Sequence, residues 1–95
     1  MNLPYVLILH EVADYEAWRT VFDDAADLRR RAGEISYQVL TFDQDDNQVV
    51  HFSRWRSLEA ARQFFESAEL VEIRARAGVQ APQFLYLNQR EAGAL

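Results

Sequence analysis

The stretch Tyr5-Val6-Leu7-Ile8-Leu9-His10-Glu11-Val12-Ala13-Asp14-Tyr15-Glu16-Ala17-Trp18-Arg19-Thr20-Val21-Phe22 changes its hydrophobic period midway, and that change decides the fold. Tyr5 to His10 is a short run of apolar and β-branched side chains, the pattern of a largely buried strand. Pro4 stands at its start, where a missing N–H does least harm. Asp14 supplies an N-cap carboxylate, and Glu16 lies at the positive end of the segment that follows. From there Tyr15, Trp18, Val21, Phe22, Ala25, Leu28 and Ala32 recur every three or four residues, with Glu16, Arg19, Asp23, Asp27, Arg30 and Arg31 mostly on the other side. The spacing predicts one amphipathic helix of about five turns. Arg29-Arg30-Arg31 complements the dipole at its C-terminal end, reads as a solvated charge run, and is followed by Gly33 as the C′ residue.

Beyond Gly33, Ile35 to Phe42 and Val49 to Trp55 are strand-like, and the polar Asp43-Gln44-Asp45-Asp46-Asn47 between them reads as a hairpin loop of five residues. Ser57 caps a second helix with Leu58, Ala61, Phe64, Phe65 and Ala68 on its apolar side. Ser67 and Glu69 look like a fresh start, so this helix breaks there and a second piece runs from Leu70 to Ala77, ending at Gly78. After a loop Val79-Gln80-Ala81-Pro82, Phe84-Leu85-Tyr86-Leu87 alternates as a last strand, and Arg90 to Leu95 is a polar, small-residue tail. The order β-α-β-β-α-β is the ferredoxin-like α+β arrangement: an antiparallel four-stranded sheet with two helices on one face. Strands one and three are central in it, and two and four are edges.

Ninety-five residues make a single domain, residues 1–95, since two would each lack a core. The chain is 49% apolar and carries 10 basic against 15 acidic residues, a net charge of −5. A nucleic-acid partner is not expected without a basic excess. No cysteine is present for a disulfide, a thiolate metal site or a nucleophile. No apolar run is long enough for a bilayer, and no signal-peptide pattern opens the chain, so a soluble cytoplasmic protein without membrane partners is expected.

Alternation sorts the strand residues into two faces. Leu7, Leu9, Val50, Phe52, Leu85 and Leu87 are plain aliphatic or aromatic and are assigned to the side under the helices. Val6, Ile8, His10, Val49, His51, Ser53, Trp55, Phe84, Tyr86 and Asn88 mix aromatic with isolated polar groups and are assigned to the helix-free side. That side is too apolar for water, and burying several hundred Å2 at about 25 cal/mol per Å2 stabilises a pairing by several kcal/mol. A homodimer through the helix-free sheet face follows, with a small apolar or aromatic ligand in the space left between the sheets.

His10 to Phe22 resembles the first strand–helix junction of small bacterial dimeric α+β barrel proteins. Trp55-Arg56-Ser57-Leu58-Glu59-Ala60-Ala61 is similar to the junction of the third strand and second helix in the same superfamily. The likeness extends over residues 5 to 89. It implies a dimer whose two sheets close a barrel, and kinship with the antibiotic-biosynthesis monooxygenase-like group. The superfamily holds cofactor-independent oxygenases, haem-degrading enzymes, cyclases and isomerases. In its quinone-forming oxygenases an Asn and a Trp four apart on a strand line the pocket; here Trp55 fits, and His51 stands in the Asn position.

A cofactor-independent oxygenase or cyclase acting on a small aromatic or polycyclic compound is the function this implies. An imidazole near neutral pH can take a phenolic proton and leave an electron-rich anion for oxygen, so His51 is the candidate catalytic residue. His10, Ile8, Ser53, Trp55, Phe84 and Tyr86 are the candidate ligand-binding residues. Two histidines without a carboxylate at ligand spacing make no metal site. The axial histidine of the haem-degrading relatives lies about ten residues past the Trp, where this chain has Phe65, so no haem and no other cofactor is expected. The alternatives are a non-catalytic small-ligand-binding or stress-associated dimer, in which these polar groups only specify the seam, and a structural partner that pairs through its edge strands.

Overall fold

Each helix starts where the sequence places a cap. In the computed structural model, which describes residues 3–95, the order is β1 (Leu3–Val12), α1 (Tyr15–Asp24), α2 (Ala26–Ala32), β2 (Glu34–Phe42), β3 (Asp45–Trp55), α3 (Leu58–Phe65), α4 (Ala68–Arg76) and β4 (Val79–Gln89). The Asp14, Ser57 and Ser67 side chains accept from the backbone N–H of Ala17, Ala60 and Leu70, each satisfying a first-turn donor. The sheet is antiparallel in the order β2-β3-β1-β4, so β1 and β3 are central as expected. No helix among the described residues is long and apolar enough to cross a membrane.

Four local expectations change. The first helix is two, α1 and α2, joined at Ala25, whose φ of −89° and ψ of 6° step out of the helical geometry. The hairpin loop is a two-residue turn, Asp43-Gln44, because Asp45 to Gln48 extend β3. Ser67 breaks the second helix where expected, but α4 already begins at Ala68. The stretch Val79–Pro82 is strand and not loop: β4 is an edge, where a proline lacking its N–H is tolerated.

The largest correction concerns the two faces of the sheet. Val6, Ile8, His10, Val12, Val49, His51, Ser53 and Trp55 are the buried positions of β1 and β3, and Ile8, Val6 and Trp55 pack with Ala61, Phe64, Phe65 and Leu70 of α3 and α4. The mixed set therefore lies under the helices, and the aliphatic set forms the helix-free face. Strand alternation fixes which residues share a face; which face the helices cover is decided by the helices' own side chains. Trp18, Phe22, Phe64 and Phe65 are large rings, and the mixed face meets them with rings and small polar groups: Trp55 lies 5.5 Å from Phe64 and 5.2 Å from Phe65, and His51 lies 4.9 Å from Phe22. On the opposite side Tyr5 stacks on Phe52 at 5.0 Å, while Leu40, Phe42, Leu85 and Leu87 are exposed.

Candidate active site

Gly33 sets up the polar centre of the molecule. It ends α2 with φ 125°, a conformation that favours glycine, and its carbonyl accepts from the Arg56 N–H at 2.8 Å. The reversal brings Glu34, the first residue of β2, back beneath Arg29 of α2. The Arg29 Nη1 donates to Glu34 Oε1 at 2.5 Å, and His51 Nε2 meets Glu34 Oε2 at 2.6 Å. All three side chains are 6% exposed or less. A carboxylate only accepts, so Nε2 of a neutral His51 carries the proton and Nδ1 is its basic nitrogen. Arg29 also donates from Nη2 to the Phe22 carbonyl at 3.2 Å and lies 3.6 Å from the Phe22 ring centre. The expectation of a solvated Arg29-Arg30-Arg31 run fails for Arg29: it is the one member of the run on the inner side of α2, whereas Arg30 pairs with Asp27 in solvent.

His51 and Arg29 line a cavity of about 70 Å3 between the sheet and the helices, walled by Ile8, Trp18, Phe22, Phe65 and Phe84. His10, Trp18, Phe22 and His51 form a row of rings along it, with successive centres 5.4, 4.8 and 4.9 Å apart. His10 is 7% exposed, and neither of its ring nitrogens has a hydrogen-bond partner among the described residues. Burial, reinforced by His51 and Arg74, lowers its pKa from 6.5 to about 4, so the ring is neutral near pH 7. The β1–β4 ladder is irregular at this residue: Leu9 pairs with Gln83 and Glu11 with Gln80, leaving Ala81 and Pro82 opposite His10. Ala81 has φ 46°, a left-handed value uncommon for a side-chain-bearing residue. Bulges of this kind are common beside functional sites.

Of the residues singled out from sequence, Ile8, His10, His51 and Phe84 line the cavity. Ser53 and Trp55 lie on the same buried face without lining it, and the Trp55 Nε1–H donates to Ser53 Oγ at 2.8 Å. Tyr86 is half-buried near α3, with the Arg62 guanidinium 4.7 Å from its ring centre, and burial raises its hydroxyl pKa. Arg29, Glu34 and Arg74 were missed. A usable signal existed for one pair: an acid five residues after an arginine, across a helix-ending glycine, can fold back onto it. Among the described residues no group of three or more His, Cys, Asp or Glu is placed to hold a metal ion.

A helix-covered antiparallel sheet with a ring-walled, imidazole-bearing cavity defines a small α+β protein with a pocket between sheet and helices. The family model described as antibiotic biosynthesis monooxygenase matches residues 13–76, and the chain belongs to that family. Its fold is similar to that of SnoaB, a cofactor-independent oxygenase from Streptomyces nogalater, with a TM-score of 0.75 at 15% identity over 96% of this chain and 95% of that one. It is also similar to the monooxygenase from the ActVA-Orf6 gene of Streptomyces coelicolor, solved in complex with nanaomycin D, with a TM-score of 0.66 at 17% identity over 99% and 93% of the two chains. No curated protein matches the sequence.

Proposed function

We propose that the protein is a cofactor-independent monooxygenase of a small aromatic compound, with the cavity under the helices as its active site and His51 as its general base. The observation that carries this reading is the Glu34–His51 pair: Glu34 holds Nε2, fixes the tautomer and stabilises the imidazolium that forms when Nδ1 takes a proton. A phenol so deprotonated has an electron-rich ring carbon that reacts with molecular oxygen. Conversion of a ring C–H and its phenolic O–H to a quinone removes four electrons from the substrate, keeps one oxygen atom as a carbonyl and releases the other as water. No external reductant enters that balance. Ile8, Trp18, Phe22 and Phe84 grip the ring and exclude bulk water, while His10 contacts its polar substituent. The cavity has room for only a few water molecules, which limits the substrate to a compact ring.

The helix-free face completes the reading. Leu40, Phe42, Leu85 and Leu87, each 38% exposed or more, join Leu7, Leu9, Val50 and Phe52 in one apolar surface. A second copy of the chain covers it as a homodimer, which removes these side chains from water. A cytoplasmic location accords with this picture. Incubation with monocyclic and bicyclic phenols under 18O2 tests the function: one labelled oxygen in the product supports it, and His51→Ala lowers the rate roughly 100-fold or more. Absence of label from every phenol, or full activity in His51→Ala, overturns it. The competing reading, a ligand-binding dimer without catalysis, draws on the small cavity and predicts phenol binding with no oxygen uptake.

A further inference from the structure

The cavity holds two cations, and only one of them is neutralised. Arg29 is paired with Glu34. Arg74 of α4 lines the same cavity half-buried, has no carboxylate within salt-bridge distance among the described residues, and makes one hydrogen bond, from Nη1 to the Phe65 carbonyl at 3.0 Å. Its guanidinium lies 5.1 Å from the Phe84 ring centre, against a wall that offers no counter-charge. Across the cavity His10 presents two unpartnered ring nitrogens from a side chain more than nine-tenths buried. A partly desolvated cation without a counter-charge and an orphaned imidazole are each unfavourable alone. One anionic oxygen group between them resolves both.

We propose that the end of the cavity between His10 and Arg74 is a carboxylate subsite, so that the substrate is a compact aromatic compound bearing one ionised carboxyl group. This rests on the cavity being the active site proposed above and adds the chemical class of its substrate. The charge count sets the limit of one: Glu34 cancels Arg29, His10 is neutral, and Arg74 leaves a single positive charge uncompensated. Arg74 supplies the charge and its free N–H groups, which fit the two oxygens of a carboxylate. His10 donates its one N–H to the nearer oxygen. His51 stands one diagonal step from His10 on the neighbouring strand, since Ile8 pairs with His51 and His10 with Val49, so a ring held by its carboxylate lies beside the proposed base.

Isothermal titration of the purified protein with benzoate and with benzamide, in the absence of oxygen, tests this independently of turnover. Benzoate binds roughly tenfold or more tightly than benzamide, and Arg74→Gln brings the benzoate affinity down to that of benzamide. Arg74→Lys restores part of the preference, because charge survives while the planar fork is lost. His10→Asn weakens benzoate by a smaller factor. Equal affinity for the two probes, no benzoate binding at millimolar concentration, an unchanged preference in Arg74→Gln, or 4-nitrophenolate binding as tightly as benzoate each overturns the carboxylate subsite. A positive binding result without 18O incorporation leaves the subsite standing and removes the oxygenase reading; label from neutral phenols with no benzoate preference does the reverse.

Discussion

His10 ties the site to the stability of the fold through pH. Its pKa is held near 4 in the folded chain by burial first, then by His51 on β3 and Arg74 on α4, against 6.5 for the free ring. On unfolding, the ring gains water and takes up a proton at any pH below 6.5. Between those two values the unfolded chain binds more protons than the folded one. Stability is therefore intact above about pH 6.5, falls as pH drops toward about 4, and loses nothing more from this residue below that. The full loss is about 3 kcal/mol, and about 2 kcal/mol of it falls between pH 7.5 and pH 5. Against a total of about 5–15 kcal/mol this is large. Urea unfolding of the wild type and of His10→Phe at the two pH values isolates it, because the surface carboxylates titrate alike in both. The wild-type midpoint drops further than the variant's by roughly 1 M, for a urea slope of about 1–3 kcal/mol per M. At pH 7.5 the variant is at least as stable as the wild type, since two unsatisfied buried nitrogens, each costing about 1–3 kcal/mol, are gone. Parallel pH losses in the two proteins would refute the reasoning, as would a variant that is strongly destabilised at pH 7.5.

Three further outcomes are expected. Glu34→Ala strands Arg29 as an unpaired buried charge and lowers stability by about 3–5 kcal/mol, a fall in melting temperature of more than about 10 °C by calorimetry, and Glu34→Gln, which keeps an acceptor, loses less. Leu87→Lys on the helix-free face converts the proposed dimer into a folded monomer by sedimentation equilibrium, with an unchanged far-ultraviolet spectrum. Ser57→Ala removes the cap on the Ala60 N–H and lowers stability by about 1 kcal/mol in urea titrations, leaving ligand affinity unaltered.

The chain order of strands and helices was legible because its signals are local. Asp14, Ser57 and Ser67 cap helices where they stand, and Gly33 and Gly78 end them at positive φ. The break at Ala25 was not legible, since alanine carries no breaking signal and the apolar spacing runs through it. Nor was the side of the sheet that the helices cover. Leu7, Leu9, Leu85 and Leu87 make as apolar a set as any core, and only the rings contributed by α1 and α3 show that the mixed set lies beneath them. Of the site, Ile8, His10, His51 and Phe84 were readable as one face of a sheet. Arg29 and Glu34 were missed: their one sequence signal was the five-residue spacing across Gly33, whose turn carries two ordinary surface-type residues into the interior.

The distribution of polar groups in the core separates structural need from function. Ser53 is buried and answers the Trp55 indole, so that pair closes on itself. Arg29, Glu34 and His51 likewise satisfy most of one another's demands, and an array of that kind contributes little net stability over well-packed apolar residues. His10 answers nothing within the described residues, faces an unpaired arginine and sits opposite a bulged, positive-φ segment of β4. Selection for stability alone would replace it with a leucine or phenylalanine. The carboxylate proposed above supplies the missing partner, and the pH-linked cost of the buried imidazole is what the urea experiment measures.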